Sequence, residues 1–165
     1  MLTCAPLPTP FGEMLLAADA HGLTHLCLPG ETLDRTDLVR IAPADHPLLA
    51  EAARQVRAYL AGRLHTFDLP LALHGTPFQL RVWAELQTIP YGRTLSYGEL
   101  AERLGSRARA RAVGGAAHAN PVAIIVPCHR LIGANGSLTG FGGGLPLKQA
   151  LLDLERDHPG PEHRP

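Results

Sequence analysis

Prolines and glycines divide this chain into short segments and set where its helices and strands can begin and end. Proline fixes its own backbone and restricts the residue before it, whereas glycine allows turns that other residues avoid. Pro47 and Gly62 bracket one helical pattern, and Pro77 opens a second one that stops before Pro90. The sequence therefore predicts short elements joined by tight turns.

The first 75 residues mix strand and helix patterns. Two apolar segments flank the turn at 19–22, which predicts a β-hairpin. The helix between Pro47 and Gly62 carries apolar residues at helical spacing. The other predicted elements are the hairpin strands at 14–18 and 23–28, a loop at 29–46, and a strand at 64–73 that Pro70 interrupts.

Helix-start patterns dominate from Thr76 onward. Thr76 and Ser96 are each followed three residues later by Gln or Glu, which is the pattern of a capping box. Two short helices joined at Gly105 are typical of a helix-turn-helix, although an ordinary helical hairpin has the same spacing. The predicted helices lie at 77–87, 97–104 and about 107–119, and a last helix opens at Pro146.

The net charge is zero, with 15 Lys and Arg against 15 Asp and Glu. This balance argues against a histone-like protein that binds nucleic acid by charge alone. The positive charge is concentrated, because six arginines and only two glutamates lie between Arg93 and Arg130. Such a face can bind phosphate, and it can equally be the solvated surface of an arginine-rich helix.

Cellular location is constrained by the apolar runs and the cysteines. No apolar run approaches the roughly 18 residues of a membrane-spanning helix, and the N-terminus has no signal-peptide pattern. Three cysteines, an odd and sparse set, make a poor disulfide framework and suit a reducing compartment. We therefore expect a cytoplasmic protein that has no membrane partner.

Cys128 follows the apolar, β-branched segment 122–126, which predicts a buried strand. A thiol at the end of that strand, beside His129 and Arg130, is partly exposed in a positive environment, and both conditions favour the reactive thiolate. The alternative is a buried cysteine that serves only as a small apolar side chain. The adjacent histidine and arginine favour a nucleophile.

His129 is the nearest candidate base for this thiol. Neighbours in a regular strand point to opposite faces, so the two side chains cooperate only if the chain turns here or a water bridges them. Glu155 borders the apolar stripe of the last helix, where it either orients the imidazole or is an ordinary surface glutamate. Asn120 is either a helix C-terminal cap or a polar group near the nucleophile.

Pro127-Cys128-His129-Arg130 is the active-site motif of the O6-alkylguanine-DNA alkyltransferases, also called methylated-DNA–protein-cysteine methyltransferases, and the chain closely resembles this family. The resemblance is strong over 76–157 and loose over 1–75. The other matching segments are Phe78-Gln79, Val82-Trp83, Ile89-Pro90-Tyr91-Gly92, Ser96-Tyr97, residues 111–116, Asn120-Pro121, Gly144-Leu145, Lys148, Leu151-Leu152 and Glu155.

The resemblance implies roles for four residues around the thiol. Cys128 corresponds to the alkyl acceptor, and His129 to the base that deprotonates it through a water. Glu155 corresponds to the carboxylate that holds this histidine. Asn120 corresponds to the asparagine that links the recognition helix to the active site.

The resemblance also implies that five other residues contact DNA or the damaged base. Tyr97 matches a tyrosine whose hydroxyl contacts the flipped base and the nearby phosphate. Arg111 matches an arginine finger that fills the vacated place in the base stack, and Ala112 would face the minor groove. Backbone groups of Leu131 and Gly142, together with those of the reactive cysteine, are expected to line the guanine pocket.

The chemistry of these residue types agrees with the implied activity. The alkyl carbon on guanine O6 is saturated, so its displacement needs a strong nucleophile such as a thiolate. The thioether product resists water, which predicts a single, irreversible transfer to Cys128. The target lies inside the duplex, so the nucleotide must rotate out of the stack. The expected activity is direct-reversal repair of O6-alkylguanine, with O4-alkylthymine as a further candidate substrate.

The fold implied by the resemblance is α/β (α+β). A ribonuclease-H-like α/β domain is expected at 1–75, a mostly helical, winged-helix-like domain at 76–157, and a flexible tail at 158–165. The helix at about 107–119 is expected to enter the minor groove. The expected partner is double-stranded DNA that contains alkylated bases, the chain is expected to act as a monomer, and no cofactor is expected.

Two departures from the family pattern change these expectations. Gly142 stands where some members carry a hydroxyl residue, and the neighbouring glycines predict a looser pocket wall that accepts alkyl groups larger than methyl. Some members hold zinc in the first domain, but Asp19 and Thr24 stand where two ligands belong, so no metal is expected. The remaining candidate ligands are Cys4, Cys27 and His25.

Three other functions compete with alkyl transfer. A damage-binding relative recognises the lesion without transfer, but such relatives lack the acceptor cysteine that this chain has at Cys128. A winged-helix regulator would bind DNA without using this thiol. A cysteine hydrolase would use Cys128 and His129 for many turnovers, and it would need an oxyanion hole that the sequence does not indicate.

Overall fold

The computed structural model describes residues 1–161, and its N-terminal part is a four-stranded sheet covered by one helix. The elements are β1 (Leu2–Thr9), β2 (Gly12–Ala18), β3 (Leu23–Cys27), β4 (Leu38–Arg40) and α1 (Pro47–Leu60). The strands lie in the order β3-β2-β1-β4, antiparallel except for the parallel pair of β1 and β4. α1 packs against β1 and β2.

The predicted hairpin is confirmed as β2 and β3. Its turn is closed by Asp19, whose Oδ1 accepts the N–H groups of His21 and Gly22 at 2.7 and 3.2 Å. A Cβ at Gly22 would lie 2.7 Å from the carbonyl oxygen of Pro70. Glycine is therefore required at this point, because it lets the segment after α1 approach the end of the sheet.

The helix predicted between Pro47 and Gly62 is also confirmed. Its first turn is capped by His46, whose Nδ1 accepts from the Leu49 N–H at 3.3 Å. Pro47 occupies the first helical position, and Gly62 follows the helix with a φ of +77°. The buried face includes Tyr59, which becomes important at the site.

The C-terminal part is mostly helical. Both predicted capping boxes form, at Thr76 with Gln79 and at Ser96 with Glu99. Its elements are α2 (Pro77–Leu86), β5 (Leu95–Ser96), α3 (Tyr97–Arg103), α4 (Ala110–His118), β6 (Leu131–Ile132) and α5 (Leu145–Asp157). β5 and β6 pair in parallel, which brings the start of α3 next to the chain that follows Cys128.

Residues 122–126 do not form the predicted buried strand. Most of them are buried, but the chain reverses within them, and the Val126 N–H donates to the Val122 carbonyl at 2.9 Å. Ile124 has a φ of +72°, a left-handed conformation that costs a β-branched residue about 1–3 kcal/mol. The prediction is wrong because a short apolar run does not distinguish a strand from another buried segment.

Other element predictions differ from the structure in smaller ways. The segment 64–73 makes only a single bridge, at Leu71, and β1 and the short β4 were not anticipated. The helix predicted at 107–119 is a 3-10 turn at Arg107–Arg109 followed by α4. Hydrogen bonds to a neighbouring strand decide the strand assignments, and they are not visible in a local pattern. The 3-10 turn is a one-turn difference at a helix N-terminus, where such turns are frequent.

The two parts of the chain share one hydrophobic core. The Leu26 N–H on β3 donates to the Pro121 carbonyl at 2.9 Å, so the sheet edge supports the turn that precedes Cys128. Among residues 1–161, no helix is both long enough and apolar enough to cross a membrane. Of the predicted tail, His158 packs on Gly62, and residues 162–165 lie outside the described part.

Candidate active site

Cys128 opens a 3-10 turn that runs to Arg130. The chain therefore turns at this point, which meets the condition under which adjacent cysteine and histidine side chains can cooperate. The turn is closed by the Arg130 N–H, which donates to the Pro127 carbonyl at 3.0 Å. Cys128 is half-buried and borders a pocket, whereas His129 and Arg130 are buried behind it.

Opposing effects act on the pKa of the Cys128 thiol. Burial raises it, while a hydrogen bond from the Asn120 side chain and the charge of Lys148 act to lower it. The net result is a raised pKa, so the resting group is the thiol and a base must remove its proton. The candidate base is the next residue, His129.

Asn120 holds the turn before Cys128 in place by hydrogen bonds. Its Nδ2 donates to the Val126 carbonyl at 2.7 Å, and its Oδ1 accepts from the Val122 N–H at 3.0 Å. α4 ends two residues before Asn120, so the side chain is not the helix cap that the blander interpretation required. The asparagine joins the end of α4 to the strained turn and to the thiol.

The buried carboxylate of Glu155, on α5, forms hydrogen bonds with several polar groups around the turn. Its Oε2 lies 2.7 Å from His129 Nε2 and accepts from the Tyr59 hydroxyl at 2.5 Å. Its Oε1 accepts from Arg130 Nε and from the Gly92 N–H, each at 2.9 Å. Glu155 is therefore not a surface residue. Its hydrogen bonds connect α5 to α1, to the loop at Gly92 and to the turn at 128–130.

Ionisation within this network follows from the contacts. Burial raises the pKa of the Glu155 carboxyl, but hydrogen bonds from His129 and Arg130 outweigh burial and hold the pKa below its usual range. Burial lowers the pKa of His129, although Glu155 opposes that change. The pair at neutral pH is an ionised carboxylate beside a neutral imidazole.

The tautomer of His129 follows from these charges. An ionised carboxylate only accepts hydrogen bonds, so Nε2 of His129 must carry the proton that it donates to Glu155. Nδ1 is then the basic nitrogen, and it is buried without a hydrogen-bond partner within residues 1–161. This arrangement leaves one nitrogen available to accept a proton from a neighbouring donor.

Tyr59 and Arg130 were not predicted as members of the site. Tyr59 looked like one more apolar position in the stripe of α1, and only the packing of α1 against α5 reveals its bond to Glu155. Arg130 was read as a positive neighbour of the thiol, yet its Nη1 donates to the Ile89 carbonyl at 2.7 Å and it points away into the network. No local sequence signal distinguishes these roles.

The pocket beside Cys128 is small. Its cavity volume is about 20 Å³, enough for one water, so a nucleobase enters only if a wall moves. α4 supplies part of the wall, and the loop 140–142 supplies another part, with Phe141 and Gly142 lining the cavity. Acceptance of alkyl groups larger than methyl therefore stays a prediction that depends on loop movement.

Tyr97 and Leu131 lie on different sides of this pocket wall. Tyr97 lines the pocket, and its hydroxyl accepts from Thr139 Oγ1 at 3.0 Å. Leu131 is buried and is not among the lining residues, and its carbonyl already accepts from Lys148 Nζ at 2.6 Å. The structure does not bring the expected backbone groups of Leu131 into the pocket.

α4 presents its N-terminal residues to solvent beside the pocket. Arg111 and Ala112 are both exposed, and Arg111 borders a surface depression that Tyr97 and Gly114 also line. Gly114 has the Tyr97 ring 3.6 Å from where a Cβ would be, so helix and ring lie in contact. The exposed arginine thus sits at the rim of the depression that adjoins the pocket of Cys128.

The candidate zinc ligands do not form a metal site. His25 Nδ1 pairs with Thr24 Oγ1 at 2.9 Å, and Cys4 and Cys27 are buried thiols. Within residues 1–161, no three His, Cys, Asp or Glu side chains are placed to hold a metal ion.

Comparison with known proteins identifies the family. The profile of the 6-O-methylguanine DNA methyltransferase DNA binding domain matches residues 77–157, and that of its ribonuclease-like domain matches residues 2–73. A methylated-DNA–protein-cysteine methyltransferase of Mycolicibacterium paratuberculosis is 49% identical over 159 residues, which cover 96% of this chain and 94% of the relative. The chain belongs to this family.

Other members of the methyltransferase family agree in sequence and fold. A relative named methylated-DNA–protein-cysteine methyltransferase in Methanosarcina acetivorans is 47% identical, covering 89% of this chain and 94% of the relative. The crystal structure of Mycobacterium tuberculosis OGT in complex with DNA superposes with a TM-score of 0.87 at 47% identity, covering 94% of each chain. The expected α/β fold, with a ribonuclease-like domain before a DNA-binding domain, is confirmed.

Proposed function

We propose that this chain repairs DNA by moving the alkyl group of O6-alkylguanine in duplex DNA onto Cys128, once per molecule and irreversibly. The observation that carries the proposal is the buried, hydrogen-bonded pair of His129 and Glu155, whose histidine directly follows a half-buried cysteine that lines a pocket. Family membership, with relatives named for this reaction, supports the same conclusion.

The transfer follows from the geometry of the turn. His129 Nδ1 accepts the thiol proton through one bridging water, while Nε2 stays hydrogen-bonded to Glu155. The negative charge of Glu155 stabilises the imidazolium that forms. The thiolate of Cys128 attacks the saturated alkyl carbon, so a C–S bond forms as the C–O6 bond breaks. The guanine that leaves takes up one proton, which balances the one lost by the thiol. No step needs a cofactor.

DNA binding is proposed for the exposed end of α4. The alkylated nucleotide must leave the stack to reach a thiol that lies in a pocket, which costs a few kcal/mol. Arg111, at the rim of the depression that adjoins the pocket, is placed to enter the vacated position, and the small side chain of Ala112 allows α4 to approach the minor groove closely. Tyr97, which lines the pocket, would contact the flipped nucleotide.

The remaining proposals concern organisation and location. We place the functional boundary between a domain at 1–75 and one at 76–157, which the profile matches at 2–73 and 77–157 support. We also propose that the chain acts as a monomer, because every residue assigned to the transfer belongs to a single chain. Three free cysteines support a reducing compartment, the cytoplasm.

Stoichiometry tests the proposed function. Increasing amounts of protein are added to a fixed amount of duplex bearing one O6-methylguanine, and the repaired base is counted. We expect repair to stop at one lesion per chain, because the thioether does not release the thiol. Repair of many lesions per chain would favour the hydrolase alternative.

The variant Arg111→Ala tests whether Arg111 acts as an arginine finger that fills the place of the flipped nucleotide. We expect the rate of methyl transfer from duplex DNA to fall about 10- to 100-fold, because the flipped state loses a side chain that offsets unstacking. The rate with free O6-benzylguanine base should stay unchanged, since no flipping is involved. Arg57→Ala removes the same charge from an exposed position of α1 and serves as the control. Equal losses of rate on duplex DNA and on the free base in Arg111→Ala would contradict the proposed role of Arg111.

The variant Tyr59→Phe tests whether a residue of the N-terminal domain sets the pKa of His129. The variant keeps the ring that packs on Phe67 but removes the donor to Glu155. The carboxylate then holds the imidazolium proton more tightly, so the pKa of His129 rises and the acidic limb of the pH–rate profile moves to higher pH. Phe67→Leu, which disturbs only packing, should lower Tm and leave the limb in place. An unshifted limb in Tyr59→Phe would refute the coupling.

A further inference from the structure

A carboxylate of the N-terminal domain lines the pocket of Cys128. Glu31 lies on the loop between β3 and β4, and its Oε1 accepts from the Leu28 N–H at 2.7 Å while its own N–H donates to the Leu28 carbonyl at 3.0 Å. One carboxylate oxygen is therefore held by its own loop. The other, Oε2, lies 3.0 Å from the point where a Cβ on Gly142 would be.

The proposed transfer does not use this carboxylate. Its negative charge raises the pKa of Cys128, which disfavours the reactive thiolate. Glu31 forms no ion pair with any residue in 1–161, so its negative charge is not neutralised by a neighbouring cation there. The hydrogen bond to Leu28 uses one oxygen, Oε1, and the charge of the free oxygen Oε2 is explained if it meets the substrate.

The hydrogen-bonding pattern of the substrate identifies what the carboxylate would meet. O6-alkylguanine has no proton on N1, so its only hydrogen-bond donor beyond the sugar is the exocyclic 2-amino group. O4-alkylthymine has no donor on its ring edge at all, because N3 and O2 are both acceptors. An ionised carboxylate attracts the first base and repels the acceptors of the second.

We propose that Glu31 is a specificity-determining residue that accepts a hydrogen bond from the 2-amino group of the flipped O6-alkylguanine. This inference rests on the proposed function and narrows it, because the site then prefers alkylguanine to alkylthymine. Gly142 contributes to this specificity by its small size. A side chain there would meet Oε2, so the glycine leaves room for the carboxylate.

Glu31 is the single carboxylate among the described residues that line this pocket. Of the neutral polar side chains, Asn120 uses its amide on Val126 and Val122, and the Tyr97 hydroxyl accepts from Thr139. Glu31 Oε2 is thus the acceptor in the lining that carries charge and is not already bonded to the backbone. Charge-assisted hydrogen bonds are about twice as strong as neutral ones, which suits a selectivity role.

The test removes the amino group and the carboxylate in turn. Single-turnover rates are measured for the full chain and for Glu31→Ala on three duplexes, which carry O6-methylguanine, O6-methylhypoxanthine or O4-methylthymine. O6-Methylhypoxanthine differs from O6-methylguanine only by the missing 2-amino group. We expect the unaltered chain to prefer O6-methylguanine by about tenfold over O6-methylhypoxanthine. In Glu31→Ala this ratio should fall to within about twofold, and the relative rate on O4-methylthymine should rise.

Asp34→Ala is the matched control, because Asp34 is an exposed carboxylate of the same loop that does not line the pocket. It should leave all three ratios unchanged. An unchanged ratio in Glu31→Ala would overturn the inference while leaving alkyl transfer intact. Equal acceleration on all three duplexes would also overturn it, because Glu31 would then be only an electrostatic barrier. Absence of transfer from every duplex by the unaltered chain would instead contradict the proposed function.

Discussion

Replacing Cys128 with alanine should abolish methyl transfer while leaving the protein folded and able to bind duplex DNA. A thiolate is a stronger nucleophile toward a saturated carbon than the carboxylate, imidazole or amide side chains that also line the pocket, so none of them is expected to replace Cys128. Loss of a covalent nucleophile removes essentially all catalysis, as is usual when such a group is deleted. The measurement is incorporation of labelled methyl from O6-methylguanine DNA.

Cys27→Ala provides the control for this variant. Cys27 is a buried thiol whose pKa is raised to about 11, chiefly by burial, so it stays protonated and unreactive. Transfer by Cys27→Ala should match that of the unaltered chain. Retained lesion binding in Cys128→Ala separates loss of chemistry from loss of fold. Continued methyl incorporation in Cys128→Ala would mean that another residue is the acceptor.

Glu155→Gln should cause the largest loss of stability of any single change near the site. The substitution leaves Arg130 and His129 buried without their anionic partner, and loss of one member of a buried ion pair costs about 3–5 kcal/mol. For a chain of this length, that loss lowers Tm by roughly 6–20 °C. Methyl transfer should slow as well, because Glu155 no longer stabilises the imidazolium. Calorimetry and single-turnover kinetics measure the two effects.

The effect of Glu155 on stability depends on pH in a defined direction. The folded-state pKa of Glu155 lies below its ordinary value of 4.5, so the unfolded chain binds its proton first as the pH falls. The stability that Glu155 contributes is complete above pH 4.5 and disappears as the pH falls through the folded-state value. The difference in Tm between the unaltered chain and Glu155→Gln should therefore shrink on acidification.

Glu51→Gln is the matched control, because Glu51 forms an exposed ion pair with Arg54 on α1. Exposed pairs contribute little, so its Tm should stay within error of the unaltered chain. If both glutamine variants behaved alike, the buried network would not be a determinant of stability.

The local structure around the candidate site could be predicted from the sequence, whereas the contacts between distant residues could not. Capping boxes at Thr76 and Ser96 and the hairpin turn at Asp19 are local patterns, and each formed as expected. The candidate nucleophile Cys128 could also be selected from the sequence, because cysteine beside histidine and arginine is a short-range signal. The family resemblance then supplied roles that spacing alone left open.

The features that could not be predicted from the sequence all depend on packing between distant parts of the chain. Tyr59 reaches Glu155 over a separation of 96 residues, and Glu31 reaches the pocket wall near Gly142 from another domain. The apolar run before Cys128 was expected to be a strand, but Asn120 and the positive φ of Ile124 make it a turn. Local periodicity holds no information about such pairings.

Mass spectrometry of the Cys128 peptide tests the central claim most directly. The protein is mixed with excess duplex carrying one O6-methylguanine, and intact and peptide masses are recorded over time. The account predicts a gain of one methyl per chain, located on Cys128, with no further gain on longer incubation. An unmodified Cys128 in the presence of bound lesion, or a methyl group on another residue, would contradict it.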